Sequence, residues 1–256
     1  MSALLLLKAG GPSSSWTPQD LFTAGVTGAW YQVSPTYCYQ ERGGGTTACA
    51  VGDVVGTIRD QSGTNAHLSP PSDAARGTLQ QEGSNYYVSF DGVDDTYATT
   101  ATFTWAYPSF VGATMQKAVQ SSTAGMISFW ASASNYVGVT NIGSNSRVSG
   151  AHRNATQGPF TANSATNSVP VATTKVLQVA GATNSIKLQV NADTEVETTT
   201  AFDPANFTGS PTILVFRVAT DAARFYGGIF LLNKSMSTTD RNNARTWLGN
   251  LGGLSI

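Results

Sequence analysis

From Trp30 onward the apolar residues come in short runs, each closed by Gly, Pro, Asn, Asp or Ser, and such punctuation excludes long helices. Tyr86 to Phe90, Met126 to Ala131, Lys175 to Ala180, Ile186 to Val190 and Thr212 to Val218 read as strands. Ile186, Leu188 and Val190 alternate with Lys187 and Gln189, which directs one set to a core and the other to water. Asn191-Ala192-Asp193 turns the chain, and Glu195 and Glu197, two apart on the returning segment, share a face that is read most simply as solvent. Composition extends this pattern to the whole chain. Only 11% of the 256 residues are charged and 41% are hydrophobic, so Gly, Ser, Thr, Asn, Gln and Pro fill the rest. Ser, Thr and Asn compete with helical backbone hydrogen bonds, whereas Thr, Val, Tyr and Phe suit a pleated surface. The expected fold class is all-β.

Two segments depart from this pattern. Thr17-Pro18-Gln19-Asp20 has the form of a capping box with Pro at the first helical position, and with Gly25 as terminator it predicts a one- or two-turn helix. Ser237, with Asp240 three residues on and Met236 before it, predicts a longer C-terminal helix. Its Ala244, Trp247, Leu248 and Leu251 form an apolar stripe that must dock on a sheet. Thr161 to Pro170 is polar enough for a surface loop, and neither an internal repeat nor a linker divides the chain. At the N-terminus, Leu4, Leu5, Leu6 and Leu7 precede Gly10-Gly11-Pro12. Four adjacent leucines put apolar groups on both faces of a strand, so both faces need a cover. Either this is a first strand of the protein's own sandwich or it is an arm donated to a neighbouring subunit. The expected division is an assembly arm over residues 1–15 and a single domain over 16–256.

Several segments taken in order resemble the laminin-G-like branch of the concanavalin A-like lectin and glucanase superfamily, particularly its versions in bacteriophage structural proteins. GAWYQVSP at 28–35 resembles the family's Trp-Tyr opening, and VGTIRDQSGTNAHL at 55–68 resembles its Asp-x-Ser-Gly-x-x-x-His turn. ARGTL at 75–79 and YYVSFDGVDDTY at 86–97 are similar to its central strand and loop, and FYGGIFLLNKSMSTTDRNNARTWL at 225–248 is similar to its closing strand and last helix. The resemblance covers almost everything from Trp16 on. It implies a two-sheet antiparallel jelly-roll sandwich of concanavalin A type with a short N-terminal helix and a C-terminal helix. One departure is Gln32, where family members usually carry an acid after the Trp-Tyr pair.

Net charge of −1 with 14 Lys and Arg in total argues against nucleic acid, which needs a basic face. Leu4 to Leu7 is too short an apolar run to span a bilayer or to serve as a secretory leader, which predicts a soluble product with no membrane insertion. Asp91, Asp94 and Asp95 beside Gly92 offer hard oxygen ligands for Ca²⁺, an ion that several relatives bind at the sandwich rim. The same residues also suit a tight turn, where Asp side chains accept backbone N–H bonds, and no other cofactor is indicated. Trp105, Tyr107 and Phe110, in the loop-like stretch from Ala101 to Gly112, are candidates for a carbohydrate platform, although aromatics in a sandwich are also core residues. Counting outward from Gly43-Gly44 places Cys38 opposite Cys49, within reach of a disulfide, with two half-buried thiols as the alternative.

Glycanases of the resembled fold use two glutamates with an aspartate between them on one strand, with acid and nucleophile about 5.5 Å apart. The four glutamates here, Glu41, Glu82, Glu195 and Glu197, make no such run. His67 and His152, the two imidazoles, sit in no motif for a nucleophile or a zinc site. The expectation is a non-enzymatic bacteriophage virion protein, a capsid decoration, fibre or tail-associated component assembled in the bacterial cytoplasm. Its partners would be other virion proteins reached through the arm and further copies of itself. The alternative is a receptor-recognition module for a host surface glycan, and a glycan hydrolase comes last.

Overall fold

The structure, a computed structural model, describes residues 16–117, 127–140, 149–154, 156, 160–164, 173–182, 184–199, 204–215 and 222–256. The leucine arm lies outside the described residues. In chain order the strands are β1 (Thr27–Gln32), β2 (Cys38–Tyr39), β3 (Thr57–Ile58), β4 (Leu68–Ser69), β5 (Thr78–Glu82), β6 (Asn85–Phe90), β7 (Tyr97–Thr99) and β8 (Ser109–Lys117). They continue as β9 (Ile127–Ser132), β10 (Asn135–Thr140), β11 (Ser149–Arg153), β12 (Phe160–Asn163), β13 (Thr174–Ala182), β14 (Ser185–Val190), β15 (Val196–Thr199), β16 (Thr212–Val215) and β17 (Ala223–Leu232). A 3-10 helix covers Pro18–Leu21 and a second covers Pro204–Asn206, and α1 spans Thr238–Leu251.

Two antiparallel sheets face each other in a jelly-roll-like sandwich. The first runs β15-β14-β13-β8-β17-β6-β5 with β1 also paired to β17, and the second runs β12-β11-β10-β9-β16-β7-β4-β3-β2. β17 organises the first sheet. Its Ala223 to Phe225 pair with β6, its Gly227 to Leu232 pair with β1, and its other edge lies along β8. Phe230 and Leu232 enter the core between the sheets, while Ile229 and Leu231 point to the opposite face, where the helix lies. A strand covered on both faces must read as a continuous apolar run, and IFLL does. Gly28 in β1, at φ +144°, sits where an added Cβ would lie 1.9 Å from the Phe230 carbonyl oxygen, so only Gly lets the two strands meet there.

The predicted caps form. Asp240 N–H donates to Ser237 Oγ at 3.0 Å and Ser237 N–H to Asp240 Oδ2 at 3.3 Å. Ala244 and Leu248 dock on the outer face of the first sheet with Leu21, Phe110, Val176, Ile229 and Leu231. Thr114 Oγ1 donates to the Leu248 carbonyl at 2.5 Å, which satisfies one of the helix's terminal acceptors. No helix among the described residues is long and apolar enough to cross a membrane.

Three expectations change. Phe160–Asn163 is strand, paired to β11, so Thr161 to Asn163 are not loop, and positions 165–170 of the predicted loop lie outside the described residues. Phe110 belongs to β8, not to a loop. Glu195 and Glu197 share a face as expected, but it is not simply solvent. Lys187 Nζ lies 3.1 Å from Glu195 and 3.3 Å from Glu197, and Arg241 of the helix reaches Glu195 at 3.4 Å, because α1 covers this side of the sheet.

Candidate functional site

A cleft of about 620 Å³ opens on the outer face of the second sheet. Alternation places its floor. Leu68, Tyr97, Ile213 and Val215 point into the core, so Ser69, Ala98 and Leu214 point outward, and these three line the cleft. The three belong to paired strands, since Ser69 and Leu214 both lie opposite Ala98. Thr96 and Thr100 flank the floor, and Arg42, Pro70 and Pro71 form the rim. Arg42 comes from the turn between Cys38 and Cys49. Gly43 N–H donates to Ser69 Oγ and Gly44 N–H to Thr57 Oγ1, each at 3.0 Å, which fastens the turn to β3 and β4. Arg42 Nε donates to Asp73 at 2.9 Å and Nη1 donates to the Pro71 carbonyl at 2.7 Å. The guanidinium is therefore held in place before any ligand arrives. No carboxylate is among the described residues lining the cleft.

Beside the cleft on the same face, Thr212 lies two residues from Leu214 and pairs with Trp130. The Trp130 and Tyr136 rings stack at 5.5 Å with an interplanar angle of 16°, outside the main core and packed on Ala151. Burial raises the Tyr136 phenol above its ordinary value and Arg153 opposes the shift. Neither ring stands out in the sequence pattern. In ISFW the two parities are both partly apolar, so alternation alone does not say which residue faces out. The three candidate aromatics Trp105, Tyr107 and Phe110 do not come together on one surface. Trp105 stacks on Phe207 at 4.1 Å and Tyr107 on the same ring at 5.7 Å, and Trp105 and Tyr107 pack against the core between the sheets. Phe110 is fully buried under α1 and separated from both.

Oxygens of Asp91, Asp94 and Asp95 lie within 4.8 Å of one another, and three carboxylates supply part of the six to eight oxygens that Ca²⁺ takes. The hydrogen bonds are those of a turn. Asp91 N–H donates to Asp95 Oδ2 and Val93 N–H to Asp91 Oδ1, both at 2.7 Å. Burial, with the Asp91 and Asp94 charges adding to it against the Asp91 N–H bond, pushes the Asp95 carboxyl up to about 6. The Asp-x-Ser-Gly-x-x-x-His segment is likewise architectural. Asp60 accepts from Ser62 N–H and from the Ser62 and Thr64 hydroxyls at 2.9 Å, and from Trp30 N–H at 3.3 Å, which ties this loop to β1. His67 Nδ1 accepts from Asp60 N–H at 3.2 Å, and burial pushes the buried His152 imidazole down to about 4.

Cys38 and Cys49 stand opposite each other, with Cys49 N–H donating to the Cys38 carbonyl at 2.9 Å. Both are buried thiols in this structure. Burial pushes Cys38 up to about 12 and Cys49 up to about 11.

No protein-family model matches the chain, and no curated protein matches it either. Solved structures share its fold. The receptor-binding domain of botulinum neurotoxin D aligns with a TM-score of 0.59 at 10% identity, covering 90% of this chain and 54% of that one. A botulinum neurotoxin type C structure, concerned with cell entry through two ganglioside molecules, aligns at 0.54 and 15% identity, with coverage of 76% and 51%. An arabinofuranosidase complexed with arabinofuranosyl-xylobiose aligns at 0.51 and 13%, with coverage of 76% and 50%. The chain thus spans about half the length of these structures, and at such identities the likeness is one of fold.

Proposed function

We propose that the chain is a non-enzymatic glycan-recognition module displayed on a bacteriophage particle. The observation that carries the binding reading is the cleft, which joins an apolar floor to a pre-positioned guanidinium and has the Trp130–Tyr136 stack beside it. Sugar rings present an apolar C–H face and polar edges, and a pocket that binds them combines apolar surface with a few fixed polar groups. That one solved structure of this fold concerns ganglioside molecules, and another is complexed with arabinofuranosyl-xylobiose, agrees with the reading.

The absence of turnover is argued from the carboxylates. None lines the cleft among the described residues, and Glu195 and Glu197 are engaged by Lys187 and Arg241 at the other sheet. The particle setting rests on the family resemblance from Trp16 onward and on the leucine arm as an anchor to other virion proteins or to further copies. A glycan array tests the binding, with Ala98→Trp filling the cleft. Bound glycan that survives this substitution, or reducing sugar released from a bound polysaccharide, overturns the reading.

A further inference from the structure

We infer that the cleft selects acidic saccharides, with a sugar carboxylate held by Arg42, an inference that rests on the glycan-binding reading above. Most lining hydroxyls are already committed to the fold. Ser69 Oγ donates to the Gly56 carbonyl at 2.9 Å and accepts from Gly43 N–H. Thr99 Oγ1 donates to the Ala101 carbonyl at 2.8 Å, and Thr96 Oγ1 donates to the Val215 carbonyl at 3.5 Å. Recognition of a neutral sugar needs several hydroxyl-directed partners, and here most of the hydroxyls serve the fold.

Arg42 remains. Its Nε and Nη1 are held by Asp73 and the Pro71 carbonyl, and Nη2 has no partner among the described residues. Among the described residues it is the one ionised side chain lining the cleft. Asp73 is 72% exposed, so water screens that pair, which orients the guanidinium without cancelling its charge toward a ligand. Charge-assisted bonds from Arg to carboxylate are about twice as strong as neutral ones, so this single contact dominates discrimination. Pro70, Pro71, Ala98 and Leu214 are left to take the apolar face of the ring. A long polyanion is disfavoured, because the chain's net charge is −1 and one cation cannot neutralise a run of phosphates.

The experiment measures binding of the full chain to uronic-acid oligosaccharides and to neutral hexose oligosaccharides of matched linkage and length. The expected result is at least about a tenfold preference for the acidic series, weakened by salt. Arg42→Gln is expected to abolish the preference with unfolding unchanged, and Arg42→Lys to restore part of it. Should Arg42→Gln fail to fold, the preference and its salt dependence in the unmodified chain decide alone. Equal binding of both series, or a preference that persists in Arg42→Gln, overturns the acidic assignment and leaves glycan binding standing. Binding of neither series overturns both.

Discussion

Burial acts on Asp95 and His152 with opposite consequences for stability, because it holds the carboxyl up to about 6 and the imidazole down to about 4. Unfolded Asp releases its proton near 3.8, so the folded state binds that proton more tightly, and Asp95's contribution to stability falls as pH rises from about 4 to about 6. Unfolded His takes up a proton near 6.5, before the folded form does, so His152 costs stability as pH falls from about 6.5 toward 4. His67, also lowered by burial, and Glu41, lowered by its Thr47 hydrogen bond, act in the same direction as His152. Asp95→Asn keeps an acceptor for Asp91 N–H and removes the opposing contribution. It is expected to raise the denaturation midpoint at pH 7.5 and to steepen the loss on acidification to pH 4.5, both read from urea titrations. A second residue-level expectation concerns Cys38 and Cys49. With both thiols held far above their usual range, iodoacetamide at pH 8 should label them only as fast as the chain opens, and mass spectrometry of a time course checks this.

At the scale of elements, α1 and β1 bear most on stability. Trp247 and Leu248 both fall on the apolar stripe, but the structure separates them. Leu248 is fully buried over β8, whereas Trp247 is partly exposed, edge-on to Trp30 at 5.5 Å. Leu248→Ala is therefore expected to cost about 2 to 5 kcal/mol and Trp247→Ala less, by chemical denaturation. Equal losses would mean that the tryptophan rim matters as much as the buried seam. Gly28→Ala drives a Cβ onto the Phe230 carbonyl from a φ that disfavours side chains. It is expected to destabilise more than an exposed-strand Gly→Ala change, since β1 must withdraw from β17.

For the molecule as a whole, the described residues build a core between the two sheets and a second cluster under α1. Given the anchoring role proposed for the arm, removal of residues 1–11 is expected to leave the unfolding temperature unchanged while abolishing incorporation into particles, because four leucines with both faces apolar need a partner surface. Calorimetry and particle analysis of the truncated chain read the two effects separately. Loss of folding would place the arm inside the sandwich, and normal incorporation would remove its anchoring role.

The order of short strands, the two capped helices, the Ile186/Leu188/Val190 face and the Cys38–Cys49 register were all legible in the sequence, because periodicity and turn chemistry act between residues a few positions apart. Which aromatics stack on one another was not legible. Trp105 and Tyr107 are aromatics in a proline-interrupted segment that sequence patterning cannot tell from a binding platform, yet Phe207, from a distant segment, stacks on both. The cleft was not legible either, since its floor joins Ser69, Ala98 and Leu214 through strand pairing and its cation comes from a turn of another hairpin. Local sequence determines which residues alternate and where the chain turns. Only the non-local pairing of β4, β7 and β16 decides which outward side chains become neighbours, because those contacts form between segments whose separation along the chain carries no local signal.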